Sequence, residues 1–379
     1  MKEIEKERQM IRETAIKSAQ KTIQPRAAEI DEIGEFPRDL METIGKQGFL
    51  SILLPEEYGG MNGDITTFSL LIEEIAKVSG SSSLLLLAQG VGILPIWLGG
   101  NDSQKERYFT QISEKGSLIA FTLNEGEIGL EAPSIKTRAQ KQGRDYLLNG
   151  RKCFITHGSI AHLYSVFALT KPEKGTEGIS AFVVEEGTPG LLFGRKEEKL
   201  GMRGLVTTDV IFENCRIPGE NRLGEEGKGW KIARESLTLA GPAMGAQAVG
   251  IAQGALDYSI RYANERIQFK KPISSFQAIQ FMIADMATYI EAARALVYQA
   301  ATRVDARLEG AEKLSIMAKL YASDMAMKVT TDAVQILGGY GYIKDYPVER
   351  MMRDAKVTQI LEGSNQVQRL VVANHLFRD

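Results

Sequence analysis

Apolar and polar positions along this chain fall into three successive patterns. From Glu3 to about Gly116, Met10, Ile11, Ile16 and Ile23, and later Leu70, Leu71 and Ile75, recur at the spacing of helices that bury one face. Gly48, Pro55 and the Gly59–Gly60 pair punctuate the connections. The texture then changes. Leu118–Leu123, Tyr146–Ile155, Leu163–Thr170, Ile179–Glu185 and Thr207–Ile217 are short, rich in β-branched and aromatic residues, and separated by Gly, Pro, Asn and Lys. They predict an antiparallel sheet region of about 100 residues with strands near the usual five or six. Asn149–Gly150 carries a hairpin signal. From Trp230 onward helical spacing returns. Phe276, Ile279, Ile283, Met286, Ile290, Ala293, Val297, Ala301, Val304 and Leu308 alternate in steps of three and four up to Gly310, which predicts one long packed helix. Leu314 to Leu337 predicts a second, stopped by Gly338–Gly339.

The order is therefore helices, sheet, helices, an α+β arrangement. No repeating βαβ unit is visible, which argues against a doubly wound dinucleotide fold. With 379 residues, 44% of them hydrophobic, the chain has material for two or three domains. A net charge of -2 gives no electrostatic case for nucleic acid or an anionic membrane as partner. The most apolar run, Ser83 to Leu98, is broken by Gln89, Gly90, Gly92 and Pro95 and reads as too short to span a membrane. The N-terminal segment carries both charge signs without a cleavable signal pattern, so a cytoplasmic location is expected. Cys153 and Cys215 are too few for a disulfide framework and read as free thiols.

Candidate chemistry narrows by elimination. The chain lacks GxGxxG, a Walker loop, a GxSxG elbow and HExxH. His157, His162 and His375 are its only histidines and lack metal-ligand spacing, so no metal site is expected. General acid–base chemistry then falls to carboxylates, Lys or Tyr, and redox chemistry would need a borrowed cofactor.

The C-terminal motifs point to a family. Gln335-Ile-Leu-Gly-Gly-Tyr-Gly-Tyr342, Asp345-Tyr-Pro-Val-Glu-Arg350, Arg353-Asp-Ala-Lys356 and Leu361-Glu-Gly-Ser-Asn-Gln-Val-Gln-Arg369 follow one another as in acyl-CoA dehydrogenases. Glu265-Arg-Ile-Gln-Phe269, Pro272-Ile-Ser-Ser-Phe-Gln277, Lys199-Leu-Gly-Met-Arg-Gly204 and Leu54-Pro-Glu-Glu-Tyr-Gly-Gly60 fit as well, so the resemblance runs through essentially the whole chain. It implies an α-helical domain over 1–117, a central antiparallel β-barrel over 118–225 and a C-terminal four-helix bundle over 226–379. It also implies FAD as cofactor, an acyl thioester substrate, an electron-transfer flavoprotein as acceptor, and a homotetramer or homodimer.

Site residues follow from the same resemblance. By itself, Glu362 is an acidic residue before a final helix, where Ser364 or Asn365 would cap and the positive helix end favours a carboxylate. The resemblance makes it the base that removes the α-proton, beside Gly363 at the substrate, with burial raising its pKa toward the working pH. Phe154-Ile-Thr156 resembles the strand along the isoalloxazine, and Leu123 and Asn124 the loop next to it. Arg266, Phe269, Gln335 and Gly339 resemble the grip on the pyrophosphate and adenine of a neighbouring subunit's FAD, and Ser364 and Gln366 the contacts to its adenosine side. An arginine suits that place because its planar fork pairs with phosphates. Leu84 and Leu87 fall where relatives line the bottom of the acyl pocket, or are simply core leucines.

Three positions depart from the family pattern. Within Asn124-Glu-Gly-Glu-Ile-Gly-Leu-Glu131, Leu130 replaces a serine that binds flavin and pantetheine. Gly241 replaces an arginine that supports CoA, and Lys270 replaces a glycine. An alternative base position falls on Ala240, leaving Glu362 as the family-type base. Two substrates stay open, an acyl-CoA or an acyl or aminoacyl group tethered to a carrier protein. A non-catalytic flavoprotein that kept the fold is the reading from a different class.

Overall fold

The computed structural model describes residues 2–126 and 135–378. Leu130 and its neighbours from 127 to 134 lie outside the described residues. The first region is helical: α1 (Lys2–Ser18), α2 (Ala27–Ile33), α3 (Arg38–Lys46), α4 (Ile65–Ala76), α5 (Gly80–Gly99) and α6 (Asp102–Lys115). Local chemistry sets several ends. Asp64 caps α4 by accepting from the Thr67 N–H at 2.8 Å. Asn101 and Gln104 form a reciprocal capping box on α6. Gly116, at φ +64°, ends that helix in the left-handed region.

α5 is apolar around its whole circumference. By length and hydropathy alone its 20 residues could cross a membrane, contrary to the reading of Ser83–Leu98 as too short. Here it is a core helix, packed against α4 and its flanking strands.

The middle region is an eight-stranded sheet: β1 (Ile119–Thr122), β2 (Arg138–Gln142), β3 (Asp145–Thr156), β4 (Leu163–Leu169), β5 (Ile179–Glu185), β6 (Leu191–Phe193), β7 (Thr207–Pro218) and β8 (Arg222–Leu223). Its order is β6-β7-β3-β2-β4-β5-β8, with β1 added on β4. Pairing is antiparallel except where β1, and one residue of β2, run parallel to β4. Three of these strands escaped the sequence pattern. β2 reads Arg-Ala-Gln-Lys-Gln and buries only Ala139, while β6 and β8 have three and two residues.

The hairpin expectation at Asn149–Gly150 is corrected. The turn between β2 and β3 is at Gly143–Arg144, with Gly143 at φ +63°. Asn149 and Gly150 lie inside β3, at a break in its register with β7. Gly150 is required there for two reasons. Its φ is +152°, and a Cβ would fall 2.4 Å from the Thr137 hydroxyl. The Asn149 side chain accepts from the Asn214 N–H at 2.8 Å, so the pair serves a bulge rather than a turn.

Helices then return as α7 (Gly229–Glu265), followed by a two-stranded ribbon of β9 (Ile267–Gln268) and β10 (Lys271–Pro272). After it come α8 (Gln277–Asp305), α9 (Ala311–Leu337), α10 (Val348–Thr358) and α11 (Asn365–Arg378). α7, α8 and α9 pack pairwise and α11 lies against α9. The seam foreseen on α8 is buried from Met286 to Val304, whereas Leu308 lies beyond the helix and is exposed. Gly338, at φ +61°, stops α9. α7 is rich in Gly and Ala because other backbones approach it closely. A Cβ on Gly250 would meet the Glu73 carbonyl at 2.3 Å, and one on Gly254 the Lys77 carbonyl at 2.0 Å.

Candidate active site

The structure gathers the expected site residues into three groups. The first is a shelf on the sheet. Asn124 and β3 exchange two hydrogen bonds, Cys153 N–H to Asn124 O at 2.9 Å and Asn124 Nδ2 to Cys153 O at 3.0 Å. That brings Leu123 and Asn124 beside Phe154. A register break between Lys152 and Ile155 sets Phe154 at φ +56° and turns its ring outward, leaving it 63% exposed. A bulge that re-aims one side chain is a recurrent device beside binding sites. Thr156 is half-buried and pairs with Thr207 on β7.

Under this shelf sits a pair that sequence reasoning missed. Lys152 is fully buried, and its ammonium donates to Glu125 Oε1 at 2.8 Å and to the Leu123 carbonyl at 3.2 Å. Glu125 also accepts from the backbone N–H groups of Lys136 at 2.7 Å and Thr137 at 3.2 Å. Burial lowers the Lys152 pKa to about 8, with Glu125 pulling it back up. Burial works against the Glu125 charge too, but Lys152 and these donors keep its pKa below the ordinary value. The signal was present in the alternation of β3, which places Lys152 on the inward face with Tyr146 and Leu148.

The second group lines a cleft of about 590 Å³ at the ends of α7 and α9. Arg266, Phe269, Phe276, Ile336, Gly339 and Tyr340 are among the residues that line it. The Arg266 guanidinium lies 5.1 Å from the centre of the Tyr340 ring. Phe269 is 85% exposed, and Gln335 is exposed in the last turn of α9. Phe269 and Lys270 both have positive φ, +49° and +65°, forming the tight turn between β9 and β10. Lys270 therefore occupies a conformation in which a glycine would be at ease. An apolar cleft with one projecting guanidinium suits a ligand with a flat heterocycle at one end and phosphates beside it.

The third group surrounds Glu362. The last turn of α10 runs into a short loop, and Ser364 caps α11 with a 3.4 Å contact to the Val367 N–H. Glu362 and Gly363 both have positive φ, +52° and +103°. The Glu362 carbonyl accepts from Gln368 Nε2 at 3.3 Å, and the Gly363 carbonyl from the Lys319 ammonium at 2.8 Å. Glu362 is half-buried as a residue, but its carboxyl lies where water is scarce. That burial pushes its pKa up to about 7, opposed by the positive charge of Lys319. A carboxylate so tuned can exchange a proton near neutral pH. Gln366 is exposed on the first turn of α11.

The remaining expected positions are buried in packing. Leu84 and Leu87 are 4% and 1% exposed on α5, and Ala240 is fully buried on α7. Gly241 is buried against α9, where a Cβ would fall 2.1 Å from the Ser315 hydroxyl, so no side chain projects from that position. Cys153 and Cys215 are free. His157 is fully buried beside the shelf, and burial lowers its pKa to about 4. Among the described residues no three His, Cys, Asp or Glu side chains gather as a metal site.

Comparison with known proteins identifies the class. The acyl-CoA dehydrogenase N-terminal, middle and C-terminal domains match residues 5–115, 120–215 and 227–377. This chain belongs to the acyl-CoA dehydrogenase family. It is 48% identical over 377 residues to cyclohex-1-ene-1-carbonyl-CoA dehydrogenase of Syntrophus aciditrophicus (strain SB), covering 99% of this chain and 91% of that protein. Among solved structures, a chain described with the electron transferring flavoprotein of Acidaminococcus fermentans is 47% identical with a TM-score of 0.96, covering 98% of both chains. Butyryl-CoA dehydrogenase from Megasphaera elsdenii is 42% identical with a TM-score of 0.95, also over 98% of both chains. A prolyl acyl carrier protein oxidase is 32% identical with a TM-score of 0.92, over 97% of this chain and 98% of its own.

Proposed function

We propose that this oxidoreductase removes two hydrogens across the Cα–Cβ bond of an acyl-CoA, giving the trans-2-enoyl thioester, with Glu362 as the base. The observation that carries this reading is the Glu362 carboxyl, held on a constrained loop with its pKa raised to about 7 by burial. The cofactor is FAD, which when bound takes up the β-hydrogen with its electron pair. The arrangement of this chain fits it. The exposed Phe154 ring and the Asn124 edge form a face for a planar ring system. The Arg266 cleft suits the phosphates and adenine of the FAD of a second copy.

In the step itself, Glu362 accepts the α-proton as the Cα–H bond breaks. The electron pair left on Cα forms the double bond as the β-hydrogen departs. The base must be ionised, so flavin reduction should rise with pH through about 7 and then level off.

Leu84 and Leu87, packed in the core of α5, bring no charge to the acyl end, which suits an acyl group without a second carboxylate. The Syntrophus relative acts on an alicyclic acyl-CoA, and the Megasphaera neighbour on butyryl-CoA, so both substrate shapes belong in the first panel. Electrons pass on to an electron-transfer flavoprotein. Exposed apolar side chains at Ile267, Phe269, Phe281 and Tyr342 support a homotetramer or homodimer.

One observation favours a second reading. At Gly241 the α7–α9 contact leaves no room for a CoA-supporting cation, which suits an acyl group delivered on a carrier protein. The test is anaerobic mixing of purified holoenzyme with acyl-CoAs while the 450 nm flavin band is followed. Bleaching by an acyl-CoA, slowed about a thousandfold in Glu362→Gln, is expected. Bleaching only by carrier-bound acyl groups would replace CoA as the substrate. Undiminished bleaching in Glu362→Gln would refute the assigned base.

A further inference from the structure

The loop that carries Glu362 is held from behind by α9. Two consecutive residues with positive φ are costly for a chain that includes a non-glycine, and they persist only where the surroundings over-determine them. Here the surroundings are polar and buried. The Lys319 side chain, 3% exposed, reaches across from α9. It donates to the Gly363 carbonyl at 2.8 Å and to Asn365 Oδ1 at 3.0 Å. The Asn365 amide bonds to Ser323 Oγ at 2.8 Å and to Asp324 Oδ1 at 2.7 Å. Asp324 also accepts from Gln359 Nε2 at the end of α10 and from Arg369 on α11, each at 2.6 Å. Lys319, Ser323 and Asp324 thus present one face of α9 to the loop, and Lys319 alone binds the residue next to Glu362.

We propose that Lys319 is a positioning residue for the base: by holding the Gly363 carbonyl it sets the direction of the Glu362 carboxylate, and its nearby positive charge favours the ionised form. The proposal rests on Glu362 being the base. Bonding alone does not require a lysine, because a neutral donor could satisfy a carbonyl without a buried charge. The charge has its use at Glu362, where Lys319 is the cation that opposes burial. Among the described residues, the charged groups bonded into this network besides Lys319 are Asp324 on α9 and Arg369 on α11, which pair with each other, while Asp324 also acts on Lys319.

Two variants separate the bond from the charge. Lys319→Met removes both, while Lys319→Gln retains a donor and removes the charge. In each, bound FAD and circular dichroism are checked before anaerobic bleaching by a saturating acyl-CoA is followed from pH 6 to 9. Lys319→Met should bleach at least about tenfold more slowly at pH 7, with the midpoint of its pH profile raised by about one unit. Affinity for the non-reducing enoyl-CoA product should change less than about threefold. Lys319→Gln should recover part of the plateau rate but keep the raised midpoint. If Lys319→Met does not assemble with FAD, Lys319→Gln decides alone, through that midpoint. A parental rate and midpoint in the folded variants would overturn the proposal. Glu362→Gln is run alongside: if it bleaches at the parental rate, the assignment of the base has failed, whatever the Lys319 variants show.

Discussion

The sheet and the C-terminal helices each bury a lysine beside a segment of the site, and they use it differently. Lys152, under the Phe154 shelf, has a carboxylate in direct contact, 2.8 Å away on Glu125. Lys319, behind the Glu362 loop, bonds to a carbonyl and an amide oxygen instead. Burial lowers both ammonium groups to about 8. In the sheet the charge is consumed by its partner, which in turn holds the backbone of Lys136 and Thr137. In the bundle the partners are neutral, so the field of the charge remains available to Glu362. A buried ion pair fixes geometry, whereas a buried ion on neutral partners also acts on a neighbour's titration.

Stability measurements can break or sharpen this contrast. The largest effect is expected for Lys152→Met, which strands the buried Glu125 carboxylate and should cost about 3–5 kcal/mol by urea unfolding. Adding Glu125→Leu should recover most of that loss; without recovery, the pair is not the unit described. Lys319→Met should cost less, about 1–2 kcal/mol, because it leaves only neutral acceptors unbonded and removes a buried charge. An equal cost in the two lysine variants would erase the distinction between them.

The smallest effect concerns Glu362, the proposed base. Folding raises the Glu362 pKa from 4.5 to about 7, so the native state keeps a proton that the unfolded chain gives up. Stability therefore falls as pH rises across that window. Glu362→Gln should escape the loss and melt higher than the parent at pH 8, by about 1 kcal/mol after allowance for solvent screening. The gap should close toward pH 5; a constant gap would mean that the carboxyl is not under this strain.

Much of the fold was legible because it follows from local periodicity. Most of the α8 seam, the glycine stop after α9 and five of the strands could be located in the sequence, with ends shifted by a few residues. What escaped was decided by contacts between distant segments. Asn149–Gly150 has the same preferences in a hairpin turn and in a bulge, and only the approach of Thr137 and Asn214 selects the bulge. β2 has too little apolar character to announce itself and becomes a strand through its pairing with β3.

The candidate site divides along the same line. Motif order pointed to Glu362, Phe154 and Arg266, because each stands in a short segment with its own signature. Lys319 and Lys152 were not seen, since each finds its meaning in a partner 44 or 27 residues away. The sequence by itself determined the class of chain and the succession of helix, sheet and helix, and it singled out the carboxylate proposed as the base. Only the tertiary structure decided that Gly241 faces Ser315, that Phe154 turns outward and that Lys319 stands behind Glu362. Periodicity and motifs are short-range properties of a chain, whereas burial and the fields of buried charges exist only once distant segments have excluded water together.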